Sequence, residues 1–148
     1  MANQYNEDSI QILESQEAVR TRPAMYIGDT GKRGLHHLVW EILDNSVDEH
    51  MAGHCSKIDV IISKDNRSVT ITDNGRGIPV TVHSEYVNEG ITQLELALTK
   101  LHAGGKFTHD TATGGLHGVG VSCVNAVSDE FTAIINRDGG QFKQTFSR

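Results

Sequence analysis

Residues 113–122 read TGGLHGVGVS, with four glycines in ten positions. Glycines at this density let a backbone come close to a phosphate. A helix that starts here offers unpaired N–H groups and the positive end of its dipole to an anion. Two familiar templates do not fit. A Walker A loop needs Gly-Lys-Ser/Thr at the helix start, whereas Gly120 is followed by Val121 and Ser122. A dinucleotide fingerprint follows a strand, whereas a Thr/Gly loop precedes Gly118 and Gly120. Taken alone, the run reads equally as a mobile loop with a glycine-rich helix start.

Two further stretches bear on it. DNGRGIP at 73–79 begins with a carboxylate and bends at two glycines. Asp73 at a strand end can accept a hydrogen bond from an amino group such as that of adenine; as an isolated motif, DNG is an ordinary turn. The helical stretch HHLVWEILDNSVDEHMAG at 36–53 carries Glu41, Asp44, Asp48 and Glu49, with Asn45 among them. Like charges four apart disfavour a helix slightly. No Lys or Arg interleaves between Arg33 and Lys57, so the face suits a ligand that brings cations, such as a magnesium–triphosphate. Asn45 offers Mg²⁺ a neutral oxygen. Glu41, one turn earlier, can polarise an attacking water. A merely acidic, solvated face is the plain alternative.

The elements that must position these residues follow from periodicity and turn residues. At about 100° per residue, Leu35, Val39, Ile42, Leu43 and Val47 share one face of a helix over 35–52 that Gly53 ends. Glu41, Asn45, Asp48 and Glu49 share the other, with His37 close by. Ser15 is expected to cap a short helix through Arg20 that Pro23 stops, and Gly28, Asp29, Gly31 and Gly34 to form a loop. KIDVIIS and SVTITD predict a hairpin, Ile91–His102 and Val119–Val127 two more helices, and FTAIINRDGGQFKQTFS a second hairpin around Asp138-Gly139-Gly140. Trp40 and the methionines read as core. Helices and hairpins in this order point to a sheet with helices on one face. Residues 1–13 look like an arm, and a chain that stops on a strand at Arg148 is expected to be a fragment.

The chain has 148 residues, the size of one domain, and a formal net charge of −6. That charge argues against this segment itself gripping DNA or an anionic membrane. There is no apolar run of membrane-spanning length and no signal-peptide pattern. Cys55 and Cys123 have no CxxC spacing and read as reduced thiols of a cytoplasmic protein. His50, His54 and Cys55 cluster where the helix ends, and HHLVWE is not HExxH, so no zinc site is expected.

AVRTRPAMYIGDT, GLHHLVWEILDNSVDEHMAGH, ITDNGRGIPV, LHAGGKF and GGLHGVGVSCVNAVS occur here in order. Together they resemble the N-terminal ATPase domain of bacterial type IIA topoisomerases, gyrase B subunits first and topoisomerase IV subunits next. The match covers nearly the whole chain. That domain belongs to the GHKL, or Bergerat, superfamily shared with histidine kinases, heat-shock chaperones and MutL proteins. The resemblance implies an α+β two-layer sandwich, a mixed sheet with helices on one face, over 15–148, and a dimerisation arm over 1–14. It implies ATP and Mg²⁺ as cofactors, with Glu41 as general base, His37 supporting it and Asn45 as the metal ligand. Asp73 matches the adenine-binding carboxylate, with Gly77, Ile78 and Pro79 along the base. Asp48 and Glu49 match acids at the pocket border, Glu49 near Arg76. Gly115, Leu116, His117, Gly118, Val119 and Gly120 match the phosphate wrap, and Lys106 a lid lysine. Tyr5 matches an arm tyrosine that reaches the nucleotide of the partner protomer. Arg76 and Arg137 match positions touched by aminocoumarin inhibitors. The implied partners are a second copy of the gyrase B protein, the gyrase A protein and DNA, the last two through regions outside this chain.

The chain departs from the pattern in three places. THDTATGG after GGKF lacks the usual tyrosine and lysine and is slightly shorter. Ala24 stands at a normally glycine position. The transducer domain, which supplies a lysine to the γ-phosphate, is not within these residues, so this segment alone is expected to bind nucleotide and hydrolyse it poorly. A histidine kinase would need an upstream phospho-accepting histidine, and none precedes the motifs. A clamp that binds ATP without hydrolysis would not need Glu41.

Overall fold

The computed structural model describes residues 15–101 and 120–148. The expected arm, with Tyr5, and Lys106 and Gly115 to Val119 lie outside them. The described residues open with helix α1 (Ser15–Thr21) and the short helix α2 (Ala24–Ile27). Pro23, expected only to stop α1, takes the N-cap position of α2 with φ −59°, a value proline favours. Gly28 closes α2 in the left-handed region at φ 78°, its N–H donating to the Ala24 carbonyl. Ala24 itself has no positive φ, so the departure from glycine costs no backbone strain here.

Helix α3 (Lys32–Met51) is 20 residues long and starts three residues before the expected Leu35. Gly34, expected in a loop, lies inside its first turn and is buried. A Cβ there would overlap the Asp29 carbonyl, so a residue without a side chain lets the preceding turn fold back onto the helix. The only buried residues of α3 are Gly34 and Ser46, while Leu35, Trp40, Val47 and Met51 are exposed, as is Met25. Trp40 and these methionines are therefore not core among the described residues. The apolar residues Val39, Ile42 and Leu43 and the polar residues Glu41, Asn45, Asp48 and Glu49 are alike half-buried.

Strand β1 (Ile58–Ile62) pairs antiparallel with β2 (Val69–Asp73), Ile58 opposite Asp73. Helix α4 (Gln93–Thr99) is capped by Thr92, whose hydroxyl accepts from the Glu95 N–H at 3.1 Å. It is shorter than the expected 91–102. Helix α5 (Gly120–Val127) leads into β3 (Glu130–Arg137), which turns at Asp138-Gly139 into β4 (Gly140–Ser147). Both turn residues have positive φ, 53° and 75°, as a two-residue primed turn requires. The α+β class is as expected; the described strands form two antiparallel ladders, β1–β2 and β3–β4. No helix among the described residues is long and apolar enough to cross a membrane.

The core is organised around α5. Cys123 and Ala126 pack with Val19 of α1, joined by Tyr26, Ile27 and Leu101. Val121 contributes to a second cluster of Leu94, Leu98 and Ile135, where Phe131 and Phe146 meet across β3–β4. Five of the eight residues of α5 are buried. Polar bonds lock it in place: buried Asn125 donates to the Leu98 carbonyl at 2.8 Å, and Arg20 donates to the Ala126 carbonyl at 2.7 Å. The second bond also brings a cation to the helix C-terminus. Leu98, 1% exposed, should lose about 2–5 kcal/mol on Leu98→Ala. Ile61→Ala, on exposed β1, should change stability by under about 0.5 kcal/mol. Urea unfolding of the two variants checks this, and a Leu98→Ala cost no larger than that of Ile61→Ala would contradict it.

Candidate functional site

One open cleft of about 2010 Å³ runs between α3, the turn after β2, the start of α5 and the inner strand β3. It is larger than a typical drug-sized pocket. His37, Glu41, Asn45, Asp48 and Glu49 reach it from α3. Asp73, Arg76, Gly77, Ile78 and Pro79 line it from β2 and the turn, Gly120 from α5 and Arg137 from β3. Every candidate residue within the described residues thus faces one cavity. They come from segments up to 100 residues apart, between His37 and Arg137.

The α3 residues reach the cleft because 37, 41, 45, 48 and 49 repeat at three- and four-residue spacing along one helix face. Asn45 donates its amide nitrogen to the Glu41 carbonyl at 3.1 Å. That bond commits the nitrogen to the helix, and the oxygen is the end with metal-ligand chemistry. Glu41 lies against the first turn of α5: a Cβ on Gly120 would overlap its carboxylate. The same closeness is felt by Cys123, whose thiol is pushed up to about 11 by burial and then by the Glu41 charge. Cys123 is therefore an inert thiol near neutral pH. His37 stacks edge-on to Trp40 with ring centroids 5.0 Å apart, one turn before Glu41.

Asp73 ends β2 and is anchored at both oxygens. Oδ1 accepts from the Gly75 N–H at 2.9 Å, the Asx turn that DNG encodes. Oδ2 accepts from the Ser46 hydroxyl at 2.6 Å. Gly75 has no room for a side chain because a Cβ would strike Glu49. Gly77 sits at φ 79°, and its carbonyl accepts from Arg137 Nη1 at 2.8 Å, tying the turn to β3.

Arg76 turns back onto α3. Its Nε donates to Glu49 Oε1 at 2.7 Å and its Nη2 to Oε2 at 3.2 Å, and its backbone N–H adds a bond to Oε1 at 3.0 Å. The guanidinium holds the Glu49 carboxyl below the usual glutamate range, against the opposing effect of burial. Sequence reasoning places Glu49 near Arg76 but misses Ser46, whose only signal is a small hydroxyl in a run of acids. It also misses Trp40 as a cleft-lining residue.

Among the described residues no group of three or more His, Cys, Asp or Glu side chains is arranged to hold a metal. The cleft offers isolated oxygen donors, Asn45 and Glu41, and not an all-protein cage.

The family described as histidine kinase-, DNA gyrase B- and HSP90-like ATPase matches residues 30–146. The chain belongs to this ATPase family. It is 59% identical over 146 residues to the DNA gyrase B protein of Borrelia hermsii, covering 97% of this chain and 22% of that protein. It is 54% identical over 146 residues to the Thermotoga maritima DNA gyrase B protein, with the same 97% and 22% coverage. Against the chloroplastic/mitochondrial DNA gyrase B protein of Oryza sativa it is 51% identical over 152 residues, covering 100% of this chain and 20% of that protein. The chain thus spans about a fifth of the length of the curated relatives it matches. A crystal structure of the 43K ATPase domain of Thermus thermophilus gyrase B, in complex with an aminocoumarin, superposes with a TM-score of 0.76 at 44% identity. The match covers 92% of this chain and 32% of that one.

The ion pair at the cleft border has a definite pH signature. Glu49 is depressed in the folded state, so its contribution to stability is complete above the ordinary glutamate range and is lost as pH falls through its lowered value. In a carboxyl-carbon NMR titration, Glu49 should titrate below the ordinary glutamate range, and Arg76→Gln should move it up into that range. An unchanged midpoint in the variant would contradict the pairing.

Proposed function

We propose that this chain is the ATP-binding and ATP-hydrolysing domain of a gyrase-type type IIA topoisomerase. The convergence of Asp73, Asn45 and Glu41 on one cleft carries the reading. The three supply an acceptor for the base, an oxygen for a cation and a carboxylate for water, the three tasks that nucleotide hydrolysis needs.

In this reading the adenine amino group donates to Asp73, and Gly77, Ile78 and Pro79 run along the base. The cleft's isolated oxygen donors fit Mg²⁺, which keeps waters and phosphate oxygens as its other ligands. Asn45 would hold that ion, which neutralises charge on the triphosphate when bound. Glu41 takes the proton from the attacking water as the water oxygen bonds to the γ-phosphorus and the bond from that phosphorus to the β–γ bridging oxygen breaks, releasing ADP and inorganic phosphate, with His37 supporting the carboxylate. Gly120 begins α5 beside Glu41, where backbone N–H groups of a helix start favour phosphate charge. Gly115, Leu116, His117, Gly118, Val119 and Lys106 are proposed to complete the phosphate wrap and lid.

At the level of the whole gyrase B protein, nucleotide binding would join two copies, with Tyr5 of the 1–14 arm reaching the partner's nucleotide. The closed dimer, working with the gyrase A protein, would drive DNA supercoiling in the cytoplasm. The 51–59% identity to gyrase B proteins supports the gyrase type. Arg76 and Arg137, both at the cleft, are proposed contacts for aminocoumarins, and the aminocoumarin complex of the Thermus thermophilus domain supports that.

The test is Glu41→Gln in a full-length gyrase B protein carrying this domain. Phosphate release should fall by about 10²-fold or more, while the affinity for Mg²⁺ and a non-hydrolysable ATP analogue stays within about threefold of the parent. Turnover within about tenfold of the parent would remove Glu41 from the role of base, and a parent that binds ATP but releases no phosphate would favour a clamp that does not split it.

A further inference from the structure

Ser46 lies in the middle of α3 and is 4% exposed, one of only two buried residues of that helix. A serine inside a helix commonly returns its hydroxyl to the carbonyl one turn back. Here the hydroxyl leaves its helix and donates to Asp73 Oδ2 at 2.6 Å, across 27 residues of sequence. That separation is at the short end of the range for hydroxyl–oxygen hydrogen bonds.

Asp73 itself is exposed, because it stands on the open cleft. An exposed aspartate with one anchor would keep rotational freedom about its side-chain bonds. With Oδ1 tied to the Gly75 N–H and Oδ2 tied to Ser46, both the direction and the twist of the carboxylate plane are set. An ionised carboxylate has about four acceptor sites, so two anchors leave lone pairs for a ligand. A hydrogen bond weakens steeply when misaligned, so a carboxylate held in one orientation discriminates donors better than a rotating one.

We infer that Ser46 is a positioning residue for base recognition. It acts through Asp73, and it makes the cleft select a purine that bears a 6-amino donor. This rests on the proposed function, in which Asp73 receives the base. The arrangement also couples the two ends of the site, since the helix that carries Glu41 and Asn45 is the one that orients Asp73.

The test compares non-hydrolysable triphosphates of adenosine and of purine riboside, which lacks the amino group, by calorimetry with Mg²⁺. The parent protein should prefer the adenosine analogue by tenfold or more. Ser46→Ala should bind the purine riboside analogue within about twofold of the parent and lose about tenfold of the preference, at the low end for a hydrogen bond to a charged group. Ser46→Thr, which keeps the hydroxyl, should restore the preference to within about threefold. If Ser46→Ala does not fold, Ser46→Cys, a weak donor of similar size, carries the same expectation. Equal loss for both nucleotides, or an unchanged preference, overturns the positioning role. A parent protein with no preference overturns the assignment of Asp73 to the base, and with it this inference.

Discussion

A Cβ on Gly120 would overlap the carboxylate of Glu41, and that close approach of α3 to the first turn of α5 sets the geometry of the molecule. Helix α5 is held from all sides by α1, α4 and β3, and its buried face leaves it little freedom to shift. The missing side chain of Gly120 lets Glu41 of α3 come to the start of α5. Once α3 is placed, its four-residue spacing carries Asn45 and Glu49 along the same face as Glu41, with Ser46 beside Asn45. Ser46 then takes Asp73, and Glu49 takes Arg76. The cleft follows from one helix–helix contact and the two bonds that lead away from it.

The two anchored carboxylates illustrate how one helix face assigns different tasks. Glu49 meets a guanidinium in a forked pair, which holds it ionised and largely satisfied. Asp73 meets a hydroxyl and a backbone N–H, which orient it and leave acceptor capacity toward the cleft. A charged partner makes a border; neutral donors make a recognition element. Asn45 and Glu41, joined by a bond of the amide nitrogen to the helix carbonyl, hold neighbouring oxygens one turn apart.

Much of this was legible in the residues. DNG predicted the Asx turn, Asp138-Gly139 the second hairpin turn, and the alternation of IDVII and VTITD the first ladder. Glu41 and Asn45 were placed on one face by spacing alone. The residue types of α3 misled in one respect: Trp40 and the methionines read as core, yet Trp40, Met25 and Met51 are exposed and Ser46 is buried. Hydrophobic period reports which residues share a face, not which face a neighbouring helix will accept. The Ser46–Asp73 bond was not legible because a hydroxyl 27 residues from its acceptor leaves no local pattern.

The central claim is that Asp73, Asn45 and Glu41 act on one bound nucleotide. A crystal structure with Mg²⁺ and a non-hydrolysable ATP analogue tests it most directly. The account predicts the adenine amino group within hydrogen-bond distance of Asp73, the metal on the Asn45 oxygen, and the Glu41 carboxylate beside the water in line with the γ-phosphorus. A nucleotide bound with its base away from Asp73, or with its γ-phosphate remote from Glu41, would contradict it.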